Sequence, residues 1–134
     1  MKIKINQHTT IEEVQHKFHV VFPFLKIEFS NFPHQPGEAT TRGQWYGSGI
    51  HLLEVASKPQ PGEIIVQGWQ KTGFVEKRFD QLFGLYPQIF RLDEGRWIQS
   101  AGTDIFTLDE QNEIGRKLIE KSSGTSHLEA GGLL

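Results

Sequence analysis

Residues 10–29 read TIEEVQHKFHVVFPFLKIEF, and a change of period inside this stretch decides the fold class. Ile11, Val14, Phe18 and Val21 recur at spacings of three and four, which places one apolar stripe along a helix. Thr10 stands where a helix cap is needed. Glu13 follows three residues later, the arrangement of a capping box. Pro23 ends the helix, because the residue before a proline is driven out of the α region. From there Leu25, Ile27 and Phe29 alternate with Lys26 and Glu28, so the segment 24–29 reads as a strand with one buried face. A helix with one apolar stripe and a strand with one apolar face must cover one another, which makes this an α+β chain.

The same grammar extends outward in both directions. Residues 2–5 alternate Lys and Ile and read as a short strand. Residues 50–55 read as a strand, although Ile50, Leu53 and Glu54 also suit a helical turn. Lys58-Pro59-Gln60-Pro61-Gly62 breaks the chain, and Ile64, Ile65 and Val66 mark a strand over 63–67. A helix is expected over 72–83, with Val75, Phe79, Leu82 and Phe83 apolar, Phe74 beside them, and Gly84 at its left-handed end. Strands over 86–92 and 96–100 flank Asp93-Glu94-Gly95, a hairpin turn. Thr107-Leu108-Asp109-Glu110 is a second capping box, opening a helix whose Leu108, Ile114 and Leu118 face inward. The expected organisation is a single domain over 1–121. Residues 30–48 form a long surface loop within it, and the Ser/Gly-rich residues 122–134 form a flexible tail.

The two halves echo each other. Val14, Phe18 and Phe22 have the spacing of Val75, Phe79 and Phe83, and each helix sits between strands. Two readings fit: a duplicated β-α-β-β unit followed by a C-terminal helix, or two ordinary amphipathic helices with Phe at i and i+4. The expected architecture is an antiparallel or mixed sheet of five to six strands with helices packed on one face.

Composition narrows the function classes. The chain has 134 residues, 37% hydrophobic, with ten Phe and three Trp, enough for a core without metal or disulfide. It has no Cys, which removes disulfides, thiolate metal sites and cysteine nucleophiles. The net charge is −2 with mixed signs, which argues against nucleic acid as a partner. The first residues lack an apolar signal region, and no apolar run is long enough to span a bilayer, so a cytoplasmic location without membrane is expected.

The run Phe83-Gly84-Leu85, Gln88-Ile89-Phe90-Arg91, Gly95-Arg96-Trp97, Thr103-Asp104 and Thr107-Leu108-Asp109-Glu110-Gln111-Asn112 resembles a group of small bacterial proteins without an assigned activity. Their C-terminal halves share an FGL–QVFR–W–T–WTLEEQN run. Residues 9–29, with Phe22-Pro23-Phe24-Leu25-Lys26, are similar to their N-terminal helix and strand. Phe106 stands where the group usually has Trp, and residues 37–70 do not align with it. The resemblance covers about half the chain and rests on fold-forming residues. It implies a compact two-part domain and no particular chemistry.

Several groups of polar and aromatic residues are candidates for a site. His8, His16 and His19 lie close in sequence and are of a type that binds zinc or nickel. His16 falls away from the buried stripe, so solvated histidines are expected, with no metal and no cofactor. Glu12, Glu13 and Glu28 offer carboxylates for acid–base work, but capping and the helix dipole account for the first two. Asp104, Thr107, Asp109 and Glu110 read as a negatively charged cap. The segment 41–49 brings Arg42, Trp45 and Tyr46 into a Gly-rich loop ahead of His51, and such side chains concentrate at interaction hot spots. The opposing reading folds Trp45 back over a sheet edge. Trp69 and Trp97 are expected in the core. No nucleophile elbow, phosphate loop or metalloprotease motif is present.

These observations favour a non-catalytic intracellular binding or protein-interaction domain. Its contact residues would be Arg42, Trp45, Tyr46 and His51, and its partner a protein or a second copy of the chain. The other class open to it is a small-ligand binder or enzyme with a pocket between the 30–48 loop and the sheet, lined by His34, Arg42, His51 and Glu54.

Overall fold

A computed structural model describes residues 1–31, 45–100 and 105–131, with side chains as far as residue 121. Among these residues the chain forms β1 (Lys2–Ile5), α1 (Ile11–Val21), β2 (Leu25–Ser30), α2 (Leu52–Val55), β3 (Gly62–Ile65), α3 (Thr72–Phe83), β4 (Tyr86–Asp93), β5 (Arg96–Gln99) and α4 (Leu108–Gly131).

The five strands are all antiparallel, and they divide into two sheets where a single sheet was expected. The smaller sheet pairs β1 with β3, with Ile3 opposite Ile64. The N-terminal ammonium and Val66 prolong it through bonds between Met1 N and Val66 O (2.6 Å) and between Val66 N and Met1 O (2.9 Å). The larger sheet has the order β2-β4-β5, with Ile27 opposite Ile89 and Leu92 opposite Trp97. The physical reason for the division lies on the open side of β2. There the carbonyls of Leu25, Ile27 and Phe29 are already bonded to His19, Gln15 and the Tyr46 N–H. A strand whose outward carbonyls are occupied cannot extend the ladder.

Residues of both sheets and of all four helices meet in one core. Ile3, Ile5, Ile64 and Val66 come from the small sheet and its extension; Leu25, Ile27, Phe29 and Ile89 come from the large one. Phe29 and Phe79 meet edge to face at 5.4 Å, tying α3 to β2. In α1 the buried side is Ile11, Val14 and Phe18, continued by Phe22 rather than by Val21, which is 48% exposed. Phe22 is the cap residue, and its N–H returns to Phe18 O, so the chain turns its ring inward just before Pro23. The segment 50–55 resolves into the short helix α2, not a strand. Four residues are too few for either periodicity to show.

The turns follow residue chemistry. Gly84 ends α3 with φ of +65°, as expected for a left-handed C-terminal residue. Glu94 and Gly95 have φ of +50° and +78°, the signature of a two-residue type I′ hairpin between β4 and β5. At Thr107 both capping-box bonds form: Thr107 N donates to Glu110 Oε1 and Glu110 N to Thr107 Oγ1. At Thr10 the Glu13 N–H bonds Thr10 Oγ1, and the Glu13 carboxylate is left facing a groove.

Candidate functional site

The groove has a volume of about 700 Å³ and runs between the exposed flank of α1 and the β2–β4–β5 sheet. The helix contributes Glu12, Glu13, Gln15, His16 and His19. Strand β2 contributes Lys26, Ile27 and Glu28, and β5 contributes Trp97. Strand alternation explains the second group. Leu25, Ile27 and Phe29 are buried, so Lys26 and Glu28 project from the opposite face. Helical spacing explains the first, because Gln15 and His19 lie one turn apart and reach the same strand.

Most of these side chains are held before any ligand arrives. Gln15 Nε2 donates to Ile27 O at 3.0 Å and approaches Glu28 Oε1 at 3.3 Å. His19 Nδ1 lies 2.8 Å from Leu25 O. A carbonyl oxygen only accepts, so Nδ1 is the protonated nitrogen of that ring, and in the neutral imidazole Nε2 keeps its lone pair. The same ring meets Trp97 nearly perpendicular, with centroids 6.1 Å apart. Lys26 Nζ sits 5.3 Å from the Trp97 centroid and 5.0 Å from that of Phe90, and it pairs with Glu28 at 3.7 Å. Trp97, expected in the core, is instead 36% exposed and forms an aromatic wall, because its strand β5 is the sheet edge and this residue falls on the face shared with Lys26.

The structure therefore brings together Glu12, Glu13, Glu28, His16 and His19, which the sequence offered as separate candidates, and adds Gln15, Lys26 and Trp97. Trp97 comes from the other half of the chain. Its arrival could not be read locally, although the alternation of Lys26 and Glu28 with buried residues already placed those two on one face. Among the described residues, no group of three or more His, Asp or Glu is arranged to hold a metal ion.

The other candidates are dispersed. Trp45 is 37% exposed, forms a β-bridge with Ser30 and stands against Phe90 at 5.5 Å, nearly edge to face. Tyr46 is half-buried against the core. His51 forms a bridge with Thr10 and an exposed contact with Glu54 at 3.2 Å. Arg42, His34 and Asp104 lie outside the described residues. Trp69 is 68% exposed, against the expected core position; its indole N–H is bonded to Gln67 in a surface turn. Asp109 lies over Gly68, where a Cβ would stand 2.0 Å from its carboxylate oxygen.

No family model, curated protein or solved structure matches the chain. Among the described residues no helix is long and apolar enough to cross a membrane. The class that fold and geometry define is a small α+β domain with an open, mixed-polarity groove.

Proposed function

We propose that this protein is a small non-catalytic binding domain that receives its ligand in the groove between α1 and the β2–β4–β5 sheet. The observation that carries this reading is the bracing of Trp97, a partly exposed aromatic wall met nearly perpendicularly by the His19 ring and with Lys26 over its own ring. Binding sites gain affinity when their side chains are ordered beforehand, because less freedom is lost on association. The groove also falls in the size range of small-ligand sites. A chain without cysteine suits a reducing compartment such as the cytoplasm.

The test is a thermal-shift screen against sugars, amines, carboxylates and nucleotides, repeated on Trp97→Ala and Trp45→Ala. A hit whose stabilisation disappears in Trp97→Ala and survives in Trp45→Ala supports the groove. The opposite pattern moves the site to Trp45 and Tyr46. That second reading, a protein-interaction surface at the open end of β2, is favoured by the exposure of Trp45 beside Phe90.

The same proposal includes a duplicated origin for the two halves. Thr10 bridges His51 as Lys71 bridges Thr107. Ile11 N bonds Ile50 O as Thr72 N bonds Phe106 O, and Leu52 N bonds Thr9 O as Leu108 N bonds Gln70 O. Trp45 lies opposite Ser30 on β2 as Trp97 lies opposite Leu92 on β4. With one residue inserted between α3 and β4, Ile3 faces its own counterpart Ile64, and Ile27 faces Ile89. Homologous sequences provide the check: profiles of residues 1–30 and 62–92 should align in this register, and alignment no better than that of shuffled profiles removes the duplication. Membership of the small bacterial group is proposed with it. The run from Phe83 to Asn112 supplies the C-terminal Gly84, the Arg91–Gln111 bond and the Asn112 bond to Phe24 N.

A further inference from the structure

We infer that the groove takes a neutral polyhydroxylated ring, a sugar unit of an oligosaccharide; this rests on the groove being the binding site. The argument begins with the charges. Glu12, Glu13 and Glu28 line the groove against a single ammonium, that of Lys26. A free anion would find the one ammonium already paired with Glu28 and would meet that carboxylate beside it, and like charges brought together are costly. A free cation is disfavoured too. At the aromatic wall it would meet the Lys26 ammonium, which already lies over both Trp97 and Phe90 and pairs with Glu28, and the same repulsion applies. Glu12 and Glu13 remain for a cation, but they stand exposed on the first turn of α1, where solvent screens them and the helix dipole already uses them.

What remains suits a ligand with many hydroxyl groups and no charge. A hydroxyl both donates and accepts, so it can satisfy carboxylates that only accept, an ammonium that only donates, and a neutral imidazole through its free nitrogen. Hydrogen bonds to charged partners are the stronger kind. The part of the Trp97 ring that Lys26 leaves exposed supplies an apolar surface for the C–H side of a sugar ring, and His19 and Lys26 hold the indole in place. The lining extends along α1 from Thr10 to His19. At 1.5 Å per residue that is roughly 13 Å, longer than one sugar ring.

The experiment probes the intact chain with an array of neutral, acidic and amino mono- to tetrasaccharides, followed by titration of each hit on wild type, Trp97→Ala, Trp97→Phe, Glu28→Gln and Trp69→Ala. The expected result is saturable binding of a neutral di- or larger saccharide. Affinity should fall at least tenfold in Trp97→Ala, fall less in Trp97→Phe, weaken in Glu28→Gln and stay unchanged in Trp69→Ala, whose exposed ring is not part of the groove lining. If the array is empty while the thermal-shift screen yields a non-sugar ligand that depends on Trp97, the sugar inference is overturned and the groove stands. If a saccharide binds equally to wild type and Trp97→Ala, both the inference and the groove are overturned.

Discussion

Glu76 on α3 accepts the backbone N–H of Ile89 through Oε2 at 2.9 Å, in a position where both residues are buried. The Gln88 side-chain amide approaches the same oxygen at 3.4 Å. On the other half of the chain, Gln15 of α1 donates to the carbonyl of Ile27. Each helix thus spends one polar side chain on the side of a strand that its neighbour leaves unpaired. The two bonds run in opposite senses: a donor meets a carbonyl on β2, and an acceptor meets an N–H on β4. Both leave buried backbone groups satisfied, which a packed interior requires.

Replacing Glu76 with Ala should cost about 2–3 kcal/mol, because a buried N–H loses its acceptor and cannot regain water. Glu76→Gln retains a carbonyl oxygen at the same reach and should cost distinctly less. Urea denaturation of the two variants measures the difference. Equal losses would mean that the carboxylate charge, not an acceptor oxygen within reach of Ile89 N, is what the fold requires.

The hairpin between β4 and β5 offers a gain. Glu94 adopts φ of +50°, which a side chain with a Cβ resists, while Asn visits this region readily. Glu94→Asn creates the Asn-Gly pair preferred in this turn and should add about 0.5–1 kcal/mol. The denaturation midpoint should rise with an unchanged slope. A fall in the midpoint would show that the Glu94 side chain makes an interaction worth more than the backbone strain.

These examples show what could be read in the sequence and what could not. The helices from Ile11 and Thr72 were legible because their Val and Phe spacings repeat over three turns. The turn at Gly95 and the helix end at Gly84 were legible because glycine chemistry is local. The partition into two sheets was not, because it depends on His19 and Gln15 turning back onto β2 carbonyls, and hydropathy does not record such bonds. The burial of Phe22 in place of Val21 depends on the turn at Pro23 rather than on helical period. The groove escaped for a third reason. Its histidines and carboxylates lie within residues 12–28, but the aromatic wall that completes the groove is Trp97, far along the chain.

Gly84 carries two constraints that can be separated. Its φ is left-handed, and a Cβ there would stand 1.8 Å from Ser57 Oγ and 3.1 Å from Lys58 N. Gly84→Ala should lose at least about 1–2 kcal/mol from the backbone conformation alone. Adding Ser57→Gly removes the side-chain collision and should recover only part of the loss. Full recovery, read as a wild-type melting temperature, would assign the whole effect to crowding.

The last prediction concerns acid. Arg116 bonds both Glu113 and Glu120 along α4. The hydrogen bond from Arg116 holds the Glu113 carboxyl below its ordinary value of 4.5, helped by the charges of Arg116 and Lys117 and opposed by burial. A carboxylate whose pKa is lower in the folded state stabilises that state above its unfolded pKa, and the contribution fades as pH falls through the lowered folded value. Between about pH 6 and the acid limb, wild-type stability should therefore decline more than that of Glu113→Gln, which has no proton to gain. Because Glu113 and Arg116 are both half-exposed at the surface, the difference should be small and should shrink in added salt, since solvent and ions screen such pairs. Urea midpoints taken across this range at low and high salt provide the measurement. Parallel curves for the two proteins would mean that the Arg116 bond persists with a protonated partner or contributes nothing to the folded state.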